Sequence, residues 1–246
     1  MKPSGNRGEL TSTKTSLTRR GFLAASTAAL LAGCQTIPQW SGGASKPPVT
    51  NWREDPYYLS IYGPRPDEKF PLPAIDLTQI SDRKYLRQIV PYQGPEHAGT
   101  LVVDPANHFL YLVRGDGTAL RYGVGVGKAG LEWNGEAVVQ YKRQWPRWTP
   151  TKDMIGRDPS LVKYQGGMDP GLGNPLGARA LYLFANGRDT LYRIHGTNED
   201  WSIGKSISSG CIRMLNQDVI DLYDRVPNSS NVVVRPAGNP VPVVAQ

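Results

Sequence analysis

The sequence predicts a mainly β domain of sandwich type with one helix near its C-terminal end. Three observations carry that expectation. From Gly99 onward the chain breaks into short apolar runs, at 99–104, 108–113, 118–126, 137–141, 180–184, 191–195 and 231–235. Turn compositions such as Pro105-Ala106-Asn107 and Arg114-Gly115-Asp116-Gly117 separate them. A single segment has convincing helical spacing, with Val219, Leu222, Tyr223 and Val226 at i, i+3, i+4 and i+7, Asn216 as N-cap and Pro227 as a stop. Finally, 27 glycines and 21 prolines in 246 residues suit many tight turns, not the alternating strands and helices of a doubly wound sheet.

Residues 1–33 read as an address. Thr18-Arg19-Arg20-Gly21-Phe22-Leu23 looks like a twin-arginine export motif. The apolar run after it, about 12 residues long, is too short to span a bilayer. Leu31-Ala32-Gly33-Cys34 resembles a lipobox, in which Cys34 is lipidated and becomes the mature N-terminus. Together these predict a signal peptide over 1–33 and a chain anchored by acyl groups at the periplasmic face of the envelope. Gln35 stands where an aspartate would favour the inner membrane, so the outer membrane is favoured. Four of the seven net positive charges lie in 1–33 (Lys2, Arg7, Lys14, Arg19 and Arg20 against Glu9). The rest are spread without a basic run, which argues against nucleic acid as a partner.

Residues 34–97 read as a proline-rich tether and pre-domain segment, with ten prolines between Gln35 and Pro95. Such a stretch is stiff, extended and poor at forming a core of its own. Tyr57, Tyr58, Leu59, Ile61 and Tyr62 are apolar enough to dock on the following domain. Residues 81–90 are expected as a short helix capped by Ser81 and ended before Pro91. The main domain is placed at 98–236, followed by a tail over 237–246.

Within that domain, Gly125-Val126-Gly127-Lys128-Ala129-Gly130 formally matches G-x-G-x-x-G. A dinucleotide site needs a helix directly after the glycines, and Leu131-Glu132-Trp133-Asn134-Gly135 reads as a turn. The motif is therefore a strand whose glycines permit close backbone approach. Residues 145–177, opening with Trp145-Pro146-Arg147-Trp148, form a long irregular stretch that is either a lid beside a cleft or a packed surface loop.

The chemistry concentrates in 191–226. The chain has two cysteines, Cys34 and Cys211, and three histidines, His97, His108 and His195. If Cys34 is acylated, Cys211 is the lone thiol of the mature chain; otherwise a Cys34–Cys211 disulfide is the alternative. Ser208-Ser209-Gly210 leads into Cys211 as a small-residue turn that exposes the thiol and frees backbone N–H groups as oxyanion donors. Strand alternation over 191–195 sets Tyr192 and Ile194 toward the core and His195 toward an open side, with Gly196 letting the chain turn. A thiol of pKa about 8.5 needs a base near neutral pH, and imidazole supplies one. His97, in the junction, and His108, opening a strand, are weaker bases. Arg213 falls on the same side as Cys211 and is suited to a substrate carboxylate.

His195-Gly196-Thr197-Asn198, Trp201-Ser202-Ile203-Gly204 and Ser208-Ser209-Gly210-Cys211-Ile212-Arg213-Met214 resemble the L,D-transpeptidase (YkuD-type) family. Gly173-Asn174-Pro175-Leu176-Gly177 also looks like a segment common upstream in that family. The resemblance covers about residues 99–235 and implies a YkuD-like β-sandwich with a helix after the cysteine. It implies Cys211 as the acyl-forming nucleophile and His195 as general base and acid, with Ser209, Gly210, Arg213 and Gly196 around the oxyanion and substrate. One position departs, since Ser209 stands where the family usually has a second histidine, and a hydroxyl is no base at neutral pH.

The reaction implied is attack on a peptidoglycan tetrapeptide stem, release of D-alanine, and resolution of the acyl-enzyme by a neighbouring stem amine to give a 3→3 crosslink. Water as acceptor would give an L,D-carboxypeptidase, and a protein lysine would give wall anchoring. A non-catalytic wall-binding lipoprotein is the reading from another class. No cofactor and no metal are implied, the scattered histidines fit no zinc spacing, and a monomer is expected.

Overall fold

The computed structural model describes residues 51–127, 133–206, 211–236, 238–239 and 241. Its main feature is a ten-stranded sheet: β1 (Gln88–Pro91), β2 (Leu101–Asp104), β3 (Phe109–Val113), β4 (Thr118–Gly123), β5 (Gly125–Val126), β6 (Gly135–Gln144), β7 (Arg179–Ala185), β8 (Arg188–His195), β9 (Ile212–Arg213) and β10 (Asn231–Val234). The order is β1-β4-β3-β2-β10-β6-β7-β8-β9-β5. The β10–β2 and β8–β9 pairs are parallel and the others antiparallel.

The run 118–126, expected as one strand, is two. β4 and β5 are joined by Val124 alone, yet they stand second and tenth in the sheet. Laid flat, eight strand spacings would separate them by about 38 Å. One intervening residue reaches only about 7 Å. The sheet must therefore curl back on itself, which is how a single hydrogen-bonded sheet yields the two facing layers of a sandwich. Its interior is filled from both layers by Leu101, Val103, Leu110, Tyr122, Leu181, Leu183, Ile194 and Ile212. Helix α3 (Asn216–Arg225) closes that core with Val219 and Leu222, both fully buried, and Val226 follows at its C-cap. Its apolar stripe is the one the sequence spacing gives.

The outer face of β2–β4 is also covered. Val102, Phe109, Tyr111, Val113 and Ala119 pack against Tyr58, Tyr62, Leu77, Ile80, Tyr85 and Leu86 from the preceding segment. Full burial of an apolar or aromatic side chain stabilises by about 1.5–3 kcal/mol. Tyr58 and Tyr62 dock as expected, while Tyr57 and Leu59 remain exposed on the other side of α1 (Pro56–Ile61). The expected helix over 81–90 is not formed. Asp82 caps a single 3-10 turn, Arg83–Tyr85, and Gln88–Pro91 then pairs with β4. Gln88-Ile89-Val90 alternates with period two, burying Val90 and exposing Ile89, and pairing with β4 satisfies backbone groups that a short isolated helix would leave free. Pro91 is tolerated because β1 is an edge strand.

The stretch 145–177 is less irregular than expected. It contains α2 (Lys152–Arg157) and a 3-10 segment Pro159–Tyr164. Trp145 and Trp148 are buried, and the Trp145 indole donates to Glu68. Asn174, fully buried, holds the loop together by donating to the carbonyls of Pro146 and Asp169.

Candidate active site

Strand register assembles the site. β9 runs parallel to β8, with Ile194 beside Ile212 and His195 beside Arg213. Both isoleucines are in the core. The residues that alternate with them, Arg193 and His195 on β8, Arg213 on β9 and Cys211 just before it, therefore share the opposite face. In this register Cys211 lies beside Arg193, whose backbone hydrogen-bonds the thiol. On the other flank the Gly127 N–H donates to the Cys211 carbonyl at 3.3 Å. The cysteine is held between two strands.

His195 differs from expectation in one respect. It is only 4% exposed, not open to solvent, while Leu191 at the other end of the alternation is 73% exposed at φ 63°. Its Nδ1 lies 2.5 Å from the Gly196 carbonyl oxygen. A carbonyl can only accept, so Nδ1 carries the proton and Nε2 presents a lone pair. Burial pushes the imidazolium pKa down to about 4; the Gly196 carbonyl opposes this, and the charges of Arg213 and Arg193 reinforce it. The ring is a neutral base at neutral pH.

Burial likewise raises the Cys211 thiol above its ordinary pKa, while the backbone and charge of Arg193 and the charge of Arg213 pull it back. The resting pair is thus a neutral thiol with a neutral imidazole.

The turn after His195 is fixed by α3. Sequence reading made Asn216 the N-cap, but Leu215 holds that position without a side-chain cap. Asn216 instead accepts from the Ala178 N–H at 2.9 Å and donates to the Thr197 carbonyl at 2.8 Å. The fit requires glycine: a Cβ on Gly196 would lie 2.3 Å from the Asn216 Oδ1. Both arginines of the face are oriented by carboxylates. Arg193 makes two 2.7 Å bonds to Asp189 and stacks on Tyr182, and Arg213 donates to Glu199 at 2.7 Å.

Ser209, Gly210 and Cys34 lie outside the described residues. His97 is exposed in the junction before β2. His108, at φ 60°, contacts the Ser206 hydroxyl at 2.9 Å through Nε2, and neither ring is in the β8–β9 face. Sequence reading puts Arg193 on the face of His195 by strand alternation but gives it no part in the site. It also missed the part of Asn216, whose partners are 19 and 38 residues away. Among the described residues no group of His, Cys, Asp and Glu could hold a metal ion, and no helix is long and apolar enough to cross a membrane.

Comparison with known proteins bears on the same region. The model of the L,D-transpeptidase catalytic domain, YkuD, matches residues 98–241. The probable L,D-transpeptidase ErfK/SrfK of Escherichia coli (strain K12) is 36% identical over 141 residues, 54% of this chain and 43% of that protein. The probable L,D-transpeptidase YbiS of the same strain is 32% identical over 145 residues, covering 55% and 44%. The chain thus spans less than half the length of these curated relatives. A crystal structure from Brucella melitensis, described as a probable carnitine operon oxidoreductase, is 54% identical, with 61% of this chain and 93% of that one covered at a TM-score of 0.45.

Proposed function

Because the chain belongs to the YkuD family of L,D-transpeptidase catalytic domains through residues 98–241, we propose that it is a cysteine L,D-transpeptidase of peptidoglycan. The observation that supports this best is the shared face of Cys211 and His195, with the imidazole tautomer fixed by Gly196. Nε2 of His195 takes the thiol proton as Sγ attacks the stem carbonyl between the L-centre of residue three and D-alanine. Stabilisation of the tetrahedral oxyanion is assigned, from the sequence motif, to backbone N–H groups of Gly210 and Cys211, with Ser209 as a further donor. Its collapse breaks the C–N bond, and the imidazolium returns its proton to the departing D-alanine amine. A side-chain amine of a second stem then attacks the thioester, a 3→3 amide forms, and the thiol is regenerated.

Arg213 and Arg193, each paired with a carboxylate, still present guanidinium groups on this face, which suits stem peptides with several carboxylates. Export by the twin-arginine motif, acylation of Cys34 and attachment at the outer membrane belong to the same proposal. The test incubates purified protein with disaccharide-tetrapeptides and resolves the products by mass spectrometry. Dimers lacking one D-alanine are expected. Tripeptides alone would redirect the reading to hydrolysis, and no product at all would remove it.

A further inference from the structure

Strand register sets Tyr141, Tyr182, Arg193 and Cys211 in one row across β6, β7, β8 and the start of β9. The two tyrosine rings stack at 4.4 Å, and the Arg193 guanidinium lies over Tyr182, 4.4 Å from its centroid. Its Nη1 donates to Asp189 Oδ1 at 2.7 Å and to the Tyr192 carbonyl at 2.8 Å, and its Nη2 donates to Asp189 Oδ2 at 2.7 Å. In a regular strand, residues four apart stand about 13 Å from one another, at the limit of such a grip. Leu191 lies between them at φ 63°, and its N–H bonds Asp189 Oδ1 at 2.8 Å. A leucine 73% exposed gains no packing to offset left-handed strain. What that turn provides is a shortened step that brings Asp189 onto Arg193.

The clamp keeps its charge. Burial pushes the Asp189 carboxyl up, but the bonds from Arg193 and Leu191 outweigh it and hold its pKa below the ordinary value. One edge of the guanidinium fork is left over. Nε–H and the second Nη2–H make no hydrogen bond among the described residues. Nor is this Nε sealed in, as the unpaired Nε atoms of Arg121, Arg179 and Arg235 are. Two parallel donors on a rigid edge match the two oxygens of a carboxylate. Asp189 offsets part of the charge, so recognition at this edge rests on directed donors.

We propose that this free edge of Arg193 is the receptor for a carboxylate on the retained, acyl side of the donor stem, while Arg213 faces the side that leaves. The assignment rests on the transpeptidase reading above and divides the stem between the two arginines. His195 returns its proton to the D-alanine amine, so D-alanine departs from the level that His195 shares with Arg213. Arg193 stands on the level of Cys211, two residues back along the strand and about 7 Å from that exit. The acyl portion bonded to Sγ therefore extends toward Arg193. It carries two carboxylates, one on D-glutamate and one on the D-centre of diaminopimelate, each several bonds from the scissile carbonyl. An amide in place of either has one acceptor, no charge and an N–H₂ that opposes the second donor of the fork.

The experiment reads binding on Cys211→Ala, so that the stem stays whole. The ¹⁵N-labelled protein is titrated with the tetrapeptide L-Ala-γ-D-Glu-diaminopimelate-D-Ala. Three further forms carry a single amide, at the D-glutamate, diaminopimelate or D-alanine carboxylate. The Arg193 Nε–H resonance, identified by its absence from Arg193→Lys, reports the fork and is expected to shift with the intact tetrapeptide. At least one acyl-side amidation is expected to abolish that shift and to weaken binding by about tenfold or more, which names the carboxylate. Amidation of D-alanine is expected to leave the shift in place. Arg193→Lys keeps the charge but not the fork, and is expected to bind the intact and acyl-side amidated forms within about threefold of each other. Four results each overturn the proposal: acyl-side amidation without effect, discrimination retained in Arg193→Lys, a shift removed by D-alanine amidation alone, and no binding of any form at millimolar concentration. Turnover plays no part in this measurement. Failure of the wild-type protein to crosslink stems, with discrimination intact, would count against the transpeptidase reading and not against the receptor.

Discussion

The side-chain amide of Asn216 donates to the carbonyl of Thr197 at 2.8 Å, so the first residue of α3 sets the turn that carries the histidine. The same side chain accepts from the Ala178 N–H, which makes it a fastener between helix, loop and β7. Replacement by alanine leaves two buried backbone groups unpaired. Asn216→Ala is expected to lose about 2–4 kcal/mol of stability by denaturant titration. A loss below about 0.5 kcal/mol would mean that water takes over both bonds.

Gly196 faces the same fastener. A methyl group there would meet the Asn216 Oδ1 at 2.3 Å and the Ala178 N at 3.2 Å, within a buried turn. Gly196→Ala is expected to displace the carbonyl that bonds His195 and to lower kcat by about 100-fold, the scale of acid–base assistance. Full activity in this variant would show that the tautomer does not depend on the turn.

Substitution of the proposed nucleophile gives the sharpest chemical outcome. A carbapenem, whose strained lactam carbonyl acylates nucleophilic thiols, serves as the probe, and Cys211→Ala is expected to abolish its covalent adduct, seen by mass on intact protein. An adduct that survives would move the nucleophile elsewhere.

Burial of His195 makes a prediction about pH. Its folded-state pKa, about 4, lies below the unfolded value of about 6.5, so protonation favours unfolding. The stability tied to this ring is complete above pH 6.5 and is lost as pH falls toward 4, up to about 3 kcal/mol in all. His195→Gln should flatten the stability profile over that window. The acid limb of kcat/KM should fall near pH 4, and a limb centred on 6.5 would show a solvated imidazole instead.

Tyr62 ties the preceding segment to α3. Its hydroxyl accepts from the Arg87 N–H at 2.7 Å and donates to Asp218 at 3.1 Å, within a buried group that includes the Arg87–Asp218 and Arg87–Asp221 ion pairs. Tyr62→Phe keeps the ring and leaves both partners short of a bond, at a cost of about 1–3 kcal/mol. Faster proteolysis within residues 51–80 is the expected readout.

Much of this was legible in the sequence where patterns are local. β2, β3, β7 and β10 lie between recognisable turns, and the stripe of α3 falls on Val219, Leu222 and Val226. Cys211 and His195 stand out in the sequence because their residue types are rare in this chain. What failed was short or non-local. β5 and β9 have two residues each, too few to show a period, and β4 and β5 read as one run because nothing local marks a strand change at Val124. Gln88–Pro91 was read into a helix because four residues cannot outweigh a plausible cap. The burial of His195 depends on neighbours supplied by the whole fold, which a five-residue alternation cannot contain.

The one-residue step at Val124 has a consequence for the order of events during folding. β9 hydrogen-bonds on one side to β8 and on the other to β5, and β5 reaches that place only after the chain has gone round the curled sheet. The β5–β9 contacts join residues roughly 90 apart in sequence while the β8–β9 contacts join residues 18 apart, so loop-closure entropy makes the β5 flank the later of the two. A partly folded chain can therefore hold Cys211 beside Arg193 and His195 on β8 while the β5 side, where the Gly127 N–H meets the Cys211 carbonyl, is still open. Enclosure of the cysteine between two strands becomes a property of the completed molecule, acquired at the last pairing step.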